Sequence, residues 1–361
     1  MSAQPIGAVT PVPRNRLQLS RVGTFPGLRA LAWDKNVLYA ARGYTLLRAT
    51  PDVAGVDWKE VGYFPPSWWR KISSSARITY RLVRDGFHAL AELPSGHLIA
   101  AVPGAIATLP PGESEFRISH KLLRGSRPLH ITTVPNGCVF WGEYFDNAER
   151  DEVYIYVSED RGSTWEVAYT FPKRAIRHVH NVIYDEWQDC LWVLTGDVGT
   201  ECRILRASCD FKNVEVVMSG NQQARAVAVV PTELGLYFST DTPLEKNFIY
   251  FMDRAGRLSR LAPLASSSIY GCRVGDSVFF STMAEPSEVN PTDHVALYGS
   301  ADGLDWRVMG EWKKDDWSMK FFQYGNVFLP DGTNTTNLLA LSTIAVHDAD
   351  MELSLWRVAT T

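Results

Sequence analysis

No segment of this chain holds the ~20 consecutive apolar residues that a membrane-crossing helix needs, and none sustains apolar residues at i, i+3, i+4 and i+7. Membrane spans and long amphipathic helices are therefore not expected. The five cysteines, Cys138, Cys190, Cys202, Cys209 and Cys272, are odd in number and lack metal-type spacing, so they fit reduced, mostly buried thiols rather than a disulfide framework. A formal charge of −4 gives no electrostatic case for nucleic acid or an anionic membrane as partner. Residues 1–16 carry Pro5, Pro11 and Pro13 but no apolar h-region, and read as a disordered lead-in rather than a signal peptide, which points to a cytoplasmic protein, with a leaderless mature form of an exported one as the alternative. What the chain does hold is aromatic bulk: 12 Trp within a composition 45% hydrophobic, ample for a large core.

The most informative stretch is Tyr154-Ile-Tyr-Val-Ser158-Glu-Asp160-Arg-Gly162-Ser-Thr164-Trp165. It opens as a strand of β-branched and aromatic residues, then breaks into a turn. There Asp160 can accept backbone N–H bonds and Gly162 can supply a positive φ. Worn copies recur at Ser300-Ala-Asp302-Gly303-Leu-Asp-Trp306, at Thr50-Pro-Asp52 through Trp58, and at Ser208-Cys-Asp210. Asp160 and Asp210 lie 50 residues apart, Asp210 and Asp302 lie 92 (twice 46), and Asp52 and Asp160 lie 108 (twice 54). A period of roughly 45–50 residues is that of one four-stranded propeller blade. The pattern Ser-x-Asp-x-Gly-x-Thr-Trp resembles the Asp-box of the sialidase-like (BNR-repeat) β-propellers, where it is a structural hairpin away from the active site. That resemblance implies an all-β chain with a single propeller over residues 17–361.

The inner strands of successive blades are read at Leu28–Trp33, His88–Leu93, Leu129–Val134, His178–Tyr184, Arg225–Val230 and Ile269–Val274. The last blade takes Met319–Tyr324, Asn326–Leu329, Leu338–Ala345 and Met351–Val358. This gives seven four-stranded blades, or six if the final segments merge. Leu17–Phe25 would close the ring by pairing the N- and C-terminal strands, removing exposed sheet edges. A basic, aromatic insertion over about 65–84 interrupts the rhythm as a loop or short helix.

In a propeller the first strand of each blade starts at the face where the second strand ends. Aligned this way, Arg29, His88, His130, Arg177, His178, His180 and Arg225 start first strands, while Glu143, Tyr144, Asp197, Asp241 and Glu285 end second strands. One mouth thus gathers cations and carboxylates, the composition of a polar ligand site. Trp141 beside Glu143 and Tyr144 suits a sugar, with an indole for the apolar face and an acid for hydroxyls or proton transfer. His178 and His180 share a strand face by period-2 alternation.

Three functions fit these residues. The resemblance implies a glycoside hydrolase acting on an acidic glycan, with Glu143, Tyr144, Asp197 and Asp241 as the chemical groups and Arg29, His130, Trp141, Arg177, His178, His180, Arg225 and Glu285 holding substrate, and no cofactor. The relatives' Arg-Ile-Pro motif is absent near the N-terminus, Phe116-Arg-Ile-Ser119 lying late in an outer strand. A metal-assisted polysaccharide lyase would place His88, His130 and His180 around one divalent transition ion. A non-catalytic propeller would bind a glycan or protein at the same mouth.

Overall fold

The middle strands of this chain are apolar on both faces and the outer strands on neither, which is what stacking sheets side by side demands. Leu98–Val102 and Cys190–Gly196 are buried at every position, whereas Lys59–Tyr63 and Arg307–Lys313 are largely open to water. The structure, a computed structural model, describes residues 16–52, 55–74 and 76–361. The lead-in expected over 1–16 falls, but for Arg16, outside the described residues.

Four sheets are simple four-stranded antiparallel meanders, built on Ala89–Glu92, Thr132–Thr133, His178–Asp185 and Ala226–Thr232 as first strands. The sheet begun by Arg29–Lys35 carries a fifth strand, Asp331–Asn334, running parallel to that first strand. The remaining strands form one eight-stranded sheet, in which Ser277–Ala284 meets Gly325–Phe328 at Met283 and Ala284. First strands of neighbouring sheets pack against one another around a central channel. Short meanders repeated radially define an all-β propeller. Leu17–Pro26 lies antiparallel to Glu352–Thr360 on the outer edge of the eight-stranded sheet.

One expectation needs correction. Met319–Tyr324 is not a strand: the buried Lys314 and Asp315 turn the chain there, Lys314 Nζ holding the Trp317 carbonyl at 2.9 Å, and Gly325–Phe328 becomes the inner strand instead. The insertion forms two short helices, α1 (Trp68–Ser73) and α2 (Arg77–Val83). All five cysteines are free. No helix among the described residues is long and apolar enough to cross a membrane.

The Asp160 turn is closed by its own side chain. Oδ1 accepts from the Ser163 and Thr164 amides at 3.1 and 2.8 Å, Oδ2 from the Thr164 hydroxyl at 2.7 Å, and Ser158 Oγ takes the buried Gly162 amide at 2.8 Å. Arg161 and Gly162 both have positive φ, and a Cβ on Gly162 would meet Ile99 at 2.3 Å. Asp210, Asp302 and Asp253 close turns the same way, Asp253 without the Ser or Trp that would mark it in sequence. Asp160→Ala is expected to cost about 1–2 kcal/mol by leaving turn amides to water. Urea denaturation checks this, and a loss under about 0.5 kcal/mol would mean that solvent replaces the carboxylate.

Candidate functional site

At one end of the channel the strand His178–Asp185 begins with two imidazoles. Its pairing with Cys190–Gly196 slips between Val179 and Asn181, so His180 is the extra residue of a bulge, which re-aims its ring toward the channel mouth. Gly196 makes room for it, since a Cβ there would stand 2.5 Å from His180 Cε1. His178 Nδ1 lies 3.0 Å from the Phe145 carbonyl and His180 Nδ1 lies 2.9 Å from the Ala226 carbonyl. A carbonyl only accepts, so both Nδ1 atoms carry the proton and donate. The two Nε2 atoms then face each other at 3.1 Å, with Asp197 Oδ1 at 3.2 Å from His180 and 3.4 Å from His178.

Arginines frame this trio. Arg177 reaches Asp197 Oδ2 at 3.1 Å and turns its other arm to Asp146; Arg225 lies 3.3 Å from Asp197 and 3.4 Å from Asp241. Tyr144 packs on His178 with ring centres 4.3 Å apart, and burial followed by Asp241 and Asp197 pushes its phenol up to about 12. Burial and the nearby Asp241 raise the Glu285 carboxyl, with Tyr324 beside it.

Glu285 and Tyr324 lead from this group to a second one in the channel, through Arg84. Arg29, Arg84 and Arg127 surround His88, whose pKa falls far below normal through burial and then the charges of Arg127 and Arg29. Burial and the same arginine neighbours bring Arg127 down to about 10. None of the three forms an ion pair among the described residues, and Arg29 Nε and His88 Nε2 are buried without a hydrogen-bond partner. Asp331, whose charge reaches Tyr270 beside these arginines, is engaged by His130 at 2.9 Å. Tyr80 and Tyr270 complete the lining, and Arg29 lies over the Phe328 ring at 4.0 Å.

The mouth therefore gathers Tyr144, Arg177, His178, His180, Asp197, Arg225, Asp241 and Glu285, as the strand alignment predicts. Arg29, His88 and His130 stand in the second group. Glu143 needs correction: it is buried in an ion pair with Arg124 and accepts the Tyr154 amide at 2.9 Å, so both oxygens brace the sheet. Trp141 is core, 2% exposed and stacked on Tyr156 with ring centres 4.3 Å apart. The trio His88, His130 and His180 does not converge on an ion. Among the described residues, the one group of ligand atoms close enough to do so is His178, His180 and Asp197. Sequence reasoning missed Tyr80, Arg84, Arg127 and Tyr324. Two of these had a signal, for Arg84 precedes His88 by four residues and Arg127 precedes His130 by three.

No family model matches the chain, and no curated protein does. Solved structures do resemble it. A chain of the crystal structure of a mitotic checkpoint complex is 13% identical, with a TM-score of 0.56 over 99% of this chain and 97% of that one. The WD40 β-propeller domain of Doa1 is 10% identical, with a TM-score of 0.54 over 95% and 97%. The AfRom2 CNH domain is 7% identical, with a TM-score of 0.54 over 95% and 99%. At such identities the likeness shows the fold alone, the β-propeller.

Proposed function

We propose that this chain is a carbohydrate-active propeller of the Asp-box type, working on an acidic glycan at the first-strand mouth. The observation that carries the reading is the arginine trio Arg29, Arg84 and Arg127, none of which pairs with a carboxylate among the described residues, and beside which Asp331 is already held by His130. Guanidinium groups with unused donors suit carboxylate or sulfate substituents, and the phenols of Tyr80, Tyr144, Tyr270 and Tyr324 offer apolar faces and hydroxyls to a sugar. With Glu143 engaged, proton transfer falls to Asp241 and Glu285, of which Glu285 is pushed toward its neutral, proton-donating form.

The architecture within this reading is seven four-stranded blades. In support, six apolar clusters fill the gaps between successive sheets, and a seventh lies within the eight-stranded sheet, between the two sets of four strands into which it divides at the short Met283–Asn326 ladder. Counting that sheet as one blade gives six. Leu17–Pro26 as the outermost strand of the last blade closes the ring.

Calorimetric titration with uronate- or sulfate-bearing oligosaccharides, set beside neutral ones, tests the function. Acidic glycans are expected to bind and neutral ones not, and Arg127→Met should weaken binding about ten- to a hundredfold by removing a charged hydrogen bond. Equal affinity for neutral and acidic glycans, or binding of neither, would overturn the proposal. Release of reducing ends separates hydrolysis from binding alone.

A further inference from the structure

We infer that His178, His180 and Asp197 are the protein ligands of a divalent first-row transition-metal ion at the channel mouth. The first argument is protonation. Because both Nδ1 atoms donate to backbone carbonyls, both Nε2 atoms present lone pairs, and these point at each other and at a carboxylate oxygen within 3.1–3.4 Å. Three electron-rich atoms at that separation repel unless a proton or a metal ion lies among them, and a site that holds both imidazoles neutral leaves the metal ion. The second is geometry. Metal bonds of about 2.0–2.1 Å set neighbouring ligand atoms about 2.9 Å apart in an octahedron and about 3.4 Å apart in a tetrahedron. The observed separations of 3.1, 3.2 and 3.4 Å span that interval.

The surroundings support the same reading. Metal-bound imidazoles typically give their other N–H to a carbonyl or carboxylate, which fixes tautomer and ring orientation, and both histidines do so here. The bulge at His180 and the bare Gly196 beneath it seat one ring without freedom to swing away. Charge also permits a cation, for Asp146, Asp197 and Asp241 outnumber Arg177 and Arg225 around the site. Imidazole with carboxylate suits zinc, manganese, iron or cobalt, and three protein ligands leave coordination positions free toward the mouth.

The test uses the full chain stripped with chelator and titrated with Co²⁺, followed by visible absorption and calorimetry in the absence of any glycan. The expected result is one ion per chain with d–d bands of nitrogen and oxygen ligation, together with a rise in melting temperature. His178→Ala, His180→Ala and Asp197→Asn should each weaken binding by more than about a hundredfold, beyond what losing a supporting hydrogen bond costs. His97→Ala, at a half-buried histidine remote from the trio in the fold, should bind as the parent does. A folded parent protein that takes up no Co²⁺ would overturn the inference, as would uptake that survives all three substitutions. Because no sugar enters the measurement, a negative glycan screen leaves this result standing, and the converse also holds.

Discussion

Deleting residues 1–26 is expected to destabilise the whole protein rather than trim a tail. The strand Leu17–Pro26 pairs along its length with Glu352–Thr360, interrupted only by a bulge between Arg21 and Gly23. Its side chains reach both ways: Leu17 and Leu19 pack into the cluster around Phe279 and Leu341, while Val22 and Phe25 pack into the one around Trp33 and Leu353. Phe25 also meets the Trp58 ring edge-on at 5.5 Å, tying the last sheet to the outer strand region of the first. Removing the strand exposes a ladder of unpaired backbone groups on Glu352–Thr360 and opens two apolar clusters together. With a domain's total stability only about 5–15 kcal/mol, the truncated chain should melt at least about 10 °C lower, or lose its cooperative transition. Differential scanning calorimetry decides the matter. A truncated protein that melts like the parent would mean that the sheet holds without this strand.

The parts of this protein legible in its sequence are those whose interactions are local. The Asp160 hairpin could be read because Ser158, Asp160, Gly162 and Thr164 bond to one another within seven residues. Strand alternation likewise placed His178 and His180 together, although the bulge that brings their Nε2 atoms face to face leaves no mark in the pattern. The errors arose where a partner lies far along the chain. Glu143 looks free until Arg124 is found opposite it, and Trp141 looks available for a sugar until Tyr156 from the adjacent strand covers its face. The strand Asp331–Asn334 could not be foreseen, since it pairs in parallel with residues 32–35, some 300 positions earlier. Arg84 escaped notice because it sits in the insertion, where no repeat predicts its direction; it caps α2 with left-handed backbone at φ 56°.

Arg81→Ala should produce the largest loss of any single substitution away from the mouth, about 3–5 kcal/mol. Arg81 comes from α2 and has no exposure to solvent, yet it carries a full charge, paired with Asp315 and lying 4.4 Å over the Trp317 ring. Truncation removes that packing and strands a buried carboxylate with Lys314 as its remaining close cation, Arg77 being 3.9 Å away and half exposed. Pairing Arg81→Met with Asp315→Asn should recover much of the loss, because the uncompensated charge rather than the missing contact dominates the cost. Trp68→Ala, on the neighbouring α1 and 77% exposed, should stay within about 0.5 kcal/mol of the parent. Thermal melts of the four proteins, with limited proteolysis across residues 65–84, measure both claims. Early cleavage in Arg81→Ala alone would locate the lost energy in the docking of the two helices onto the last sheet. That docking holds Tyr80 and Arg84 in the channel, so the same variant should also loosen the arginine group on which recognition of an acidic ligand depends. Equal stability of Arg81→Ala and the parent would mean that Lys314 alone satisfies Asp315 and that the insertion is held by its apolar contacts.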